Sequence, residues 1–236
     1  MYKFIDIHDH MLCAVDDGAK NLDESMQMIE RAYNSGTKSI ILTPHFNLRR
    51  NYSTIEKIKD EFLRLKTEAS KKFVDLELYL GNEIYYSVDI LNLLEKGRVL
   101  TLNNSNYILI EFGIGEDFSF IKNSVFEIRQ FGLLPIIAHI DRFECFKNNI
   151  DRVREIIEDG AYVQVNASSV LRKTRFVKKM LKNNLVHFIA SDSHNLSSRP
   201  PELQECFIYV NKKFGPIYAS ELFRRNARKI IDNELI

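Results

Sequence analysis

The sequence predicts an α/β fold, a parallel β/α barrel of seven strands, on three observations. Short apolar runs rich in β-branched residues recur along the 236-residue chain. Stretches with helical apolar spacing mostly separate those runs. The runs do not alternate apolar with polar, which marks parallel strands covered on both faces. Seven such strands with helices between them favour a closed barrel over an open sheet.

The elements follow in order. Phe4, Ile5 and Ile7 form the first strand. Asn21 or Asp23 caps a helix with Met26, Ile29 and Tyr33 as its buried stripe, and Gly36 stops it. The second strand runs from Ser39 to Thr43 and ends in Pro44-His45. Ser53 opens a long helix with Ile55, Ile58, Phe62, Leu65 and Ala69 at helical spacing. The third strand, Val74 to Leu80, precedes Gly81-Asn82-Glu83, and a short helix spans Val88 to Leu94. The fourth strand, Tyr107 to Ile110, ends in Glu111, and Ser119 to Phe131 is helical. The fifth, Leu133 to Ala138, ends in His139, and a helix follows from Asp151 to Glu158. The sixth, Tyr162 to Val165, ends in Asn166, and one helix covers Val170 to Leu181. The seventh, His187 to Ala190, is followed by Asp192 and His194, and two helices lie beyond Pro200-Pro201.

Length and composition narrow the function. Residues 1–236 carry no repeat, low-complexity tract or linker, so one domain is expected. The net charge of +1 gives no global attraction to nucleic acid or an anionic membrane. No apolar run reaches membrane-spanning length and no signal peptide is visible, so the expected location is the cytoplasm. The three cysteines, Cys13, Cys145 and Cys206, form neither a disulfide framework nor a metal knuckle. Six residues after each stand Ala19, Asp151 and Lys212, so the Cys-x5-Arg loop of thiolate phosphatases is missing.

The placement of the polar residues carries the chemistry. His8 and His10 follow strand one, two residues apart, and leave an extended backbone on the same face. Asp16 and Asp17 follow in a loop closed by Gly18; Asp17 fits a ligand position and Asp16 a loop-holding one. His45, Glu83, Glu111 and His139 follow strands two to five, and Asp192 and His194 follow strand seven. In a parallel barrel these strand ends meet on one face, where catalytic residues gather. Five of the six histidines lie there; His187 begins a strand and has a structural or surface role. Imidazole and carboxylate without thiolate suit Mn, Fe, Zn or Co. The nine residues His8, His10, Asp17, His45, Glu83, Glu111, His139, Asp192 and His194 are too many for one ion. Two or three divalent ions are expected, a set that activates water and holds the oxygens of an in-line phosphoryl displacement. Arg142 and Arg199 lie close in sequence to His139 and His194, placed to grip phosphate oxygens.

The segment Asp6-Ile-His8-Asp-His10 resembles the Asp-x-His-x-His mark of the polymerase-and-histidinol-phosphatase (PHP) superfamily. The resemblance is closer to its bacterial tyrosine-protein phosphatases, which accompany capsular and exopolysaccharide loci. It rests on Asp16-Asp17-Gly18-Ala19, Thr43-Pro44-His45, Gly81-Asn82-Glu83-Ile84, Ile110-Glu111-Phe112, Ile137-Ala138-His139, Gln164-Val165-Asn166-Ala167 and Ala190-Ser191-Asp192-Ser193-His194-Asn195. The chain departs from the family at Met11-Leu-Cys-Ala-Val15 and at Ile140-Asp141-Arg142-Phe143, where Pro-Glu-Arg-Tyr is common.

The resemblance implies a distorted seven-stranded β/α barrel and a trinuclear centre, usually supported by manganese (Mn2+), on the nine residues. It also implies that Arg142 and Arg199 bind the substrate phosphate. The expected activity is a metal-dependent phosphomonoesterase acting on phosphotyrosine in a protein, a bacterial tyrosine autokinase of polysaccharide synthesis. A metal-bound or protonated group near Asp17 or His194 is expected to assist the leaving phenolate. Asp9 points away from the two histidines, as a supporting or surface group. Two alternatives are a histidinol-phosphatase-like enzyme for small phosphate esters and a non-catalytic metal-binding regulator of a polysaccharide-assembly complex.

Overall fold

The computed structural model describes residues 2–50 and 52–236. The chain alternates strands and helices, and every strand pairing is parallel. Strand β1 (Phe4–Asp6) leads to α1 (Leu22–Asn34), where the Asn21 side chain accepts the Glu24 N–H. β2 (Thr37–Leu42) is followed at once by β3 (His45–Phe46). Then come α2 (Ile55–Lys72), capped by Thr54, β4 (Glu77–Leu80), β5 (Glu83–Tyr85) and α3 (Ile90–Glu95). β6 (Tyr107–Glu111), α4 (Phe118–Gln130), β7 (Leu134–Ile137), α5 (Ile150–Glu158) and β8 (Tyr162–Asn166) continue the pattern. α6 (Ala167–Leu171) and α7 (Arg175–Lys182) precede β9 (Phe188–Ala190). α8 (Gln204–Phe214), α9 (Pro216–Ser220), one π-helical turn at Glu221–Arg225 and α10 (Asn226–Asp232) close the chain. No helix among the described residues is long and apolar enough to cross a membrane.

Three of the sequence expectations change. Among the described residues the strands number nine rather than seven and form two sheets, β1-β2-β4 and β3-β5-β6-β7-β8-β9. The extra strands arise because Thr43-Pro44 separates β2 from β3 and Gly81-Asn82 separates β4 from β5. Pro44 has no N–H for a ladder. The Asn82 amide instead donates to the Pro44 carbonyl (2.8 Å) and accepts the Leu100 N–H (2.9 Å). The helix expected over Val170 to Leu181 is two helices, because Lys173 adopts a left-handed backbone (φ 56°). The buried stripe of α1 is Ser25, Met28, Ile29 and Ala32, with Met26 and Tyr33 half-buried on its flanks.

Alternation along the strands sorts the core. Tyr107 and Leu109 of β6 and Ile136 of β7 pack with Ile5, Ile41 and Phe188 in an inner cluster. Their neighbours Ile108, Ile110 and Ile137 pack outward against the helices. On β8 the inner positions run from Tyr162, which packs on that cluster, to buried Gln164 and Asn166. Burial therefore turns polar toward the strand C-termini. There the chain beyond β1 zips to the chain beyond β9: Asp192 N–H donates to His8 O and His10 N–H to Ser193 O, both at 2.8 Å.

His187 lies away from this end and has the structural role expected of it. Its Nδ1 accepts the Val163 N–H at 3.0 Å, so the ring must be neutral to hold that bond. Burial pushes its pKa down to about 4. An unfolded chain protonates this histidine near pH 6.5, whereas the native chain waits until about 4. Between those values the unfolded state binds the extra proton, and stability falls as pH falls, by about 1.4 kcal/mol per unit at most from this residue. Imidazole ¹⁵N shifts are expected to keep His187 in its neutral Nε2–H form down to pH 5; a titration midpoint near 6.5 would contradict this.

Candidate metal centre

All nine sequence-predicted donors converge at the C-terminal ends of the strands. They form four overlapping groups whose donor atoms lie within 4.8 Å of one another. These are His10, Asp17, His45 and His194; His8, His139 and Asp192; His8, His10 and Glu83; and His45, Glu83 and Glu111.

Glu83 is the hub. Its two oxygens lie 3.2 Å from His8 Nε2, 3.3 Å from His10 Nε2, 2.9 Å from His45 Nδ1 and 2.9 Å from His139 Nε2. Burial opposes its ionisation, yet the surrounding imidazoles, His8 and His45 foremost, hold it well below the usual carboxylate range. Asp192 is the second hub, 3.5 Å from His8 Nε2 and 3.7 Å from both His10 Nε2 and His194 Nδ1. Burial opposes its ionisation too, and His8, His10 and Arg199 outweigh that. Glu111 stands 3.5 Å from His139, and burial together with the Glu83 charge raises its pKa. Asp17 is 52% exposed and reaches 3.4 Å from His45 and 3.7 Å from His194.

The donor set fits cations. Three imidazoles are anchored from outside through Nδ1. His10 Nδ1 meets Asp16 Oδ2 (2.7 Å), His194 Nδ1 meets the Asp192 carbonyl (3.1 Å) and His8 Nδ1 meets Gln164 Oε1 (3.4 Å). Each partner accepts, so Nδ1 carries the proton and Nε2 turns a lone pair inward. Inside, ring nitrogens crowd together: His8 Nε2 and His10 Nε2 are 3.4 Å apart. Glu83 Oε2, His139 Nδ1 and His194 Nε2 are buried without an aligned hydrogen-bond partner among the described residues. Such crowded polar atoms are costly unless a cation lies between them. Burial pushes the His194 pKa down to about 3, and His10 and Arg199 add to it, so this ring is a neutral donor. His10 behaves oppositely: burial disfavours its charge, but Asp16 and Glu83 raise it well above the ordinary value. Cation binding at His10 therefore competes with a proton and strengthens as pH rises.

The backbone stores strain here. His139 (φ 32°) and Asp192 (φ 52°) are left-handed without being glycine, a conformation that persists where the surroundings over-determine it. Gly18 is required for a different reason, since a Cβ there would lie 2.0 Å from the His10 carbonyl oxygen.

Asp16 does more than hold its loop. Besides orienting His10, it accepts the His45 N–H (Oδ2, 3.0 Å) and the Gly18 N–H (Oδ1, 3.0 Å). Asp16→Asn is expected to weaken metal affinity by about 10- to 100-fold. Titration against a competing chelator measures this, and unchanged affinity would show that Asp16 serves the loop alone. Asp9 is fully buried, which removes the surface option; its N–H donates to Thr43 Oγ1 (3.0 Å) and its Oδ1 accepts the Met11 N–H.

Arg142 and Arg199 reach the cluster through Asp192. Arg142 Nη2 donates to Oδ2 (2.8 Å) and Arg199 Nη2 to Oδ1 (2.7 Å), and each arginine remains 38% exposed. Sequence reasoning assigned no role to Gln164 and Asn166, which form a relay. Gln164 Oε1 accepts the His139 N–H (2.6 Å), its Nε2 donates to Asn166 Oδ1 (2.8 Å), and Asn166 Nδ2 donates to Asp192 Oδ2 (2.6 Å). Two polar residues at alternate positions of an apolar strand were the available signal. Tyr52, also unassigned, stacks on His45 at 5.4 Å. A cavity of about 430 Å³ opens over these groups, with Tyr52, Tyr85, Phe112 and Ile114 as its apolar walls.

A family model described as capsular polysaccharide synthesis, CpsB/CapC, matches residues 4–232. Tyrosine-protein phosphatase CpsB of Streptococcus pneumoniae is 40% identical over 98% of this chain and 100% of its own length. The protein of the same name from Streptococcus agalactiae is 38% identical over the same shares. Among solved structures, one from a study of YwqE from Bacillus subtilis and CpsB from S. pneumoniae, described as metal-dependent tyrosine phosphatases, aligns with a TM-score of 0.91 and 30% identity. That alignment covers 98% of this chain and 96% of the other.

Proposed function

The chain belongs to the CpsB/CapC family of capsular polysaccharide synthesis, and on that premise we propose that it is a metal-dependent protein-tyrosine phosphatase. One observation carries the reading: nine imidazole and carboxylate side chains converge around Glu83 with two arginines at their edge. The ions are two or three, manganese foremost, with Fe, Zn or Co able to occupy the same donors. Residues 1–236 act as one catalytic domain in the cytoplasm, with a phosphorylated bacterial tyrosine kinase as substrate. β2–β3 and β4–β5 are each one interrupted strand of a seven-stranded distorted barrel, a reading supported by the short breaks and the parallel pairing of β3 with β5.

The residues that would hold the metals are His8, His10, Asp17, His45, Glu83, Glu111, His139, Asp192 and His194. Divalent ions held there supply Lewis-acid stabilisation of phosphate oxygens and activate the attacking water. The protein's own groups do the rest. Arg142 and Arg199 each spend one terminal nitrogen on Asp192, leaving the remaining donors of each fork for the phosphate. Asn166 and the two arginines hold Asp192 in place. Tyr85, Phe112 and Ile114 give the substrate ring an apolar wall. A metal-bound or protonated group near Asp17 or His194, on the open side, is placed to assist the leaving phenolate. The cysteines take no part: burial raises the pKa of Cys13, Cys145 and Cys206, so none is a ready thiolate.

The test assays purified protein on phosphotyrosyl peptide, phosphoseryl peptide and histidinol phosphate, beside elemental analysis. Phosphotyrosyl peptide is expected to be preferred. Strong turnover of histidinol phosphate alone would favour the small-ester enzyme, and bound metal without hydrolysis of any aryl phosphate would favour the regulator.

A further inference from the structure

A second cavity, of about 400 Å³, lies beside the metal centre and has no part in the reaction above. The two cavities share Arg142, Asp192 and Arg199, so the paired arginines form a ridge between them. Ser168, Leu171, Arg172 and Pro200 wall the far side.

The charges lining this cavity do not balance once existing bonds are assigned. Asp192 is already bonded to both ridge arginines and to Asn166. Glu202, its other carboxylate, accepts from the Arg31 guanidinium. Arg172 is exposed, and among the described residues no carboxylate lies within 4.0 Å of its guanidinium. The break between α6 and α7 creates this arrangement, because α6 ends just before Arg172 and the left-handed Lys173 turns the chain. Residues 171–182 hold six cations and no acid. Among the described residues, none of Arg172, Lys173, Arg175, Lys178, Lys179 and Lys182 is ion-paired. The uncommitted charge at the cavity is therefore positive.

We propose that this cavity is a second anion subsite, taking a carboxylate or a second phosphate from the substrate segment that flanks the phosphotyrosine, with Arg172 as its cation. The proposal rests on the phosphatase reading. An extended peptide advances about 3.3 Å per residue. On the proposal, a side chain one or two positions from a phosphotyrosine seated over the metal centre reaches across the Arg142–Arg199 ridge, which lines both cavities. The cationic turn also steers an acidic segment toward the ridge, an effect that salt screens.

Four phosphotyrosyl peptides of equal length test this, one with neutral flanks, one with flanking glutamate, one with flanking lysine and one with a second flanking phosphotyrosine. The wild type is expected to favour the anionic peptides by about tenfold in kcat/KM, through KM, with the preference shrinking as salt rises. The separate glutamate and phosphotyrosine arms identify which anion the subsite takes. Arg172→Gln is expected to bring each ratio to about one, and Arg172→Glu to favour lysine-flanked peptide. Each ratio is taken within one variant, so a loss of folded protein cancels. Wild-type ratios of one, or ratios unchanged in Arg172→Gln, would overturn the proposal. So would a variant that keeps its ratios but loses binding to phosphatidylglycerol vesicles, because the patch would then serve a membrane. If no aryl phosphate is hydrolysed, the phosphatase reading fails, and fluorescence anisotropy of the same peptides on wild type and Arg172→Gln still decides the subsite.

Discussion

Glu83→Gln is expected to lower kcat for phosphotyrosyl peptide on the order of 10³-fold and to reduce the metal recovered with the protein. The substitution keeps the side chain's size and removes its charge. In the native chain that charge faces four imidazoles of the cluster, His8, His10, His45 and His139, at 2.9–3.3 Å. A neutral amide turns an N–H toward inward-facing lone pairs and gives a cation no charge to share. Elemental analysis and steady-state kinetics on the same preparation check the result, with circular dichroism to confirm folding. Full metal content with full activity would remove Glu83 from the centre.

Arg142→Lys and Arg199→Lys are each expected to reduce kcat/KM about 10²-fold. Lysine keeps a positive charge near Asp192 but cannot bond it and also present a fork to phosphate. On the proposed reading the two arginines have two separable duties, holding Asp192 and gripping substrate. Inhibition by inorganic phosphate separates them. Weaker phosphate inhibition with metal content preserved is the outcome predicted for a substrate-gripping arginine. Lost metal with unchanged phosphate affinity would mean that it serves Asp192 alone. The double variant is expected to lose less than the product of the single effects, because both arginines share Asp192.

The candidate ligands were legible because chemistry and topology coincide at strand ends. His8, His45, Glu111, His139 and Asp192 each follow or lie at the limit of a short apolar run, and a parallel fold gathers those limits on one side. The supporting groups were less legible. Gln164 and Asn166 lie inside β8, where both faces are covered and apolar neighbours hide which side faces the site. Asp16 and Asp17 are adjacent carboxylates whose division of labour depends on which way the loop turns. The seven expected strands appear as nine segments among the described residues for a local reason, since Pro44 and Gly81-Asn82 interrupt pairing without ending the run of burial. The split between α6 and α7 was hidden because helical spacing persists across Lys173. Nothing in the sequence pattern placed Arg172 beside the ridge arginines; that follows from the split alone.

The most direct test of the central claim is the turnover of phosphotyrosyl peptide by one preparation before chelation, after chelation and after readdition of manganese. The account predicts full loss with the metal and recovery as two or three ions per chain return. Undiminished turnover by metal-free protein would contradict it.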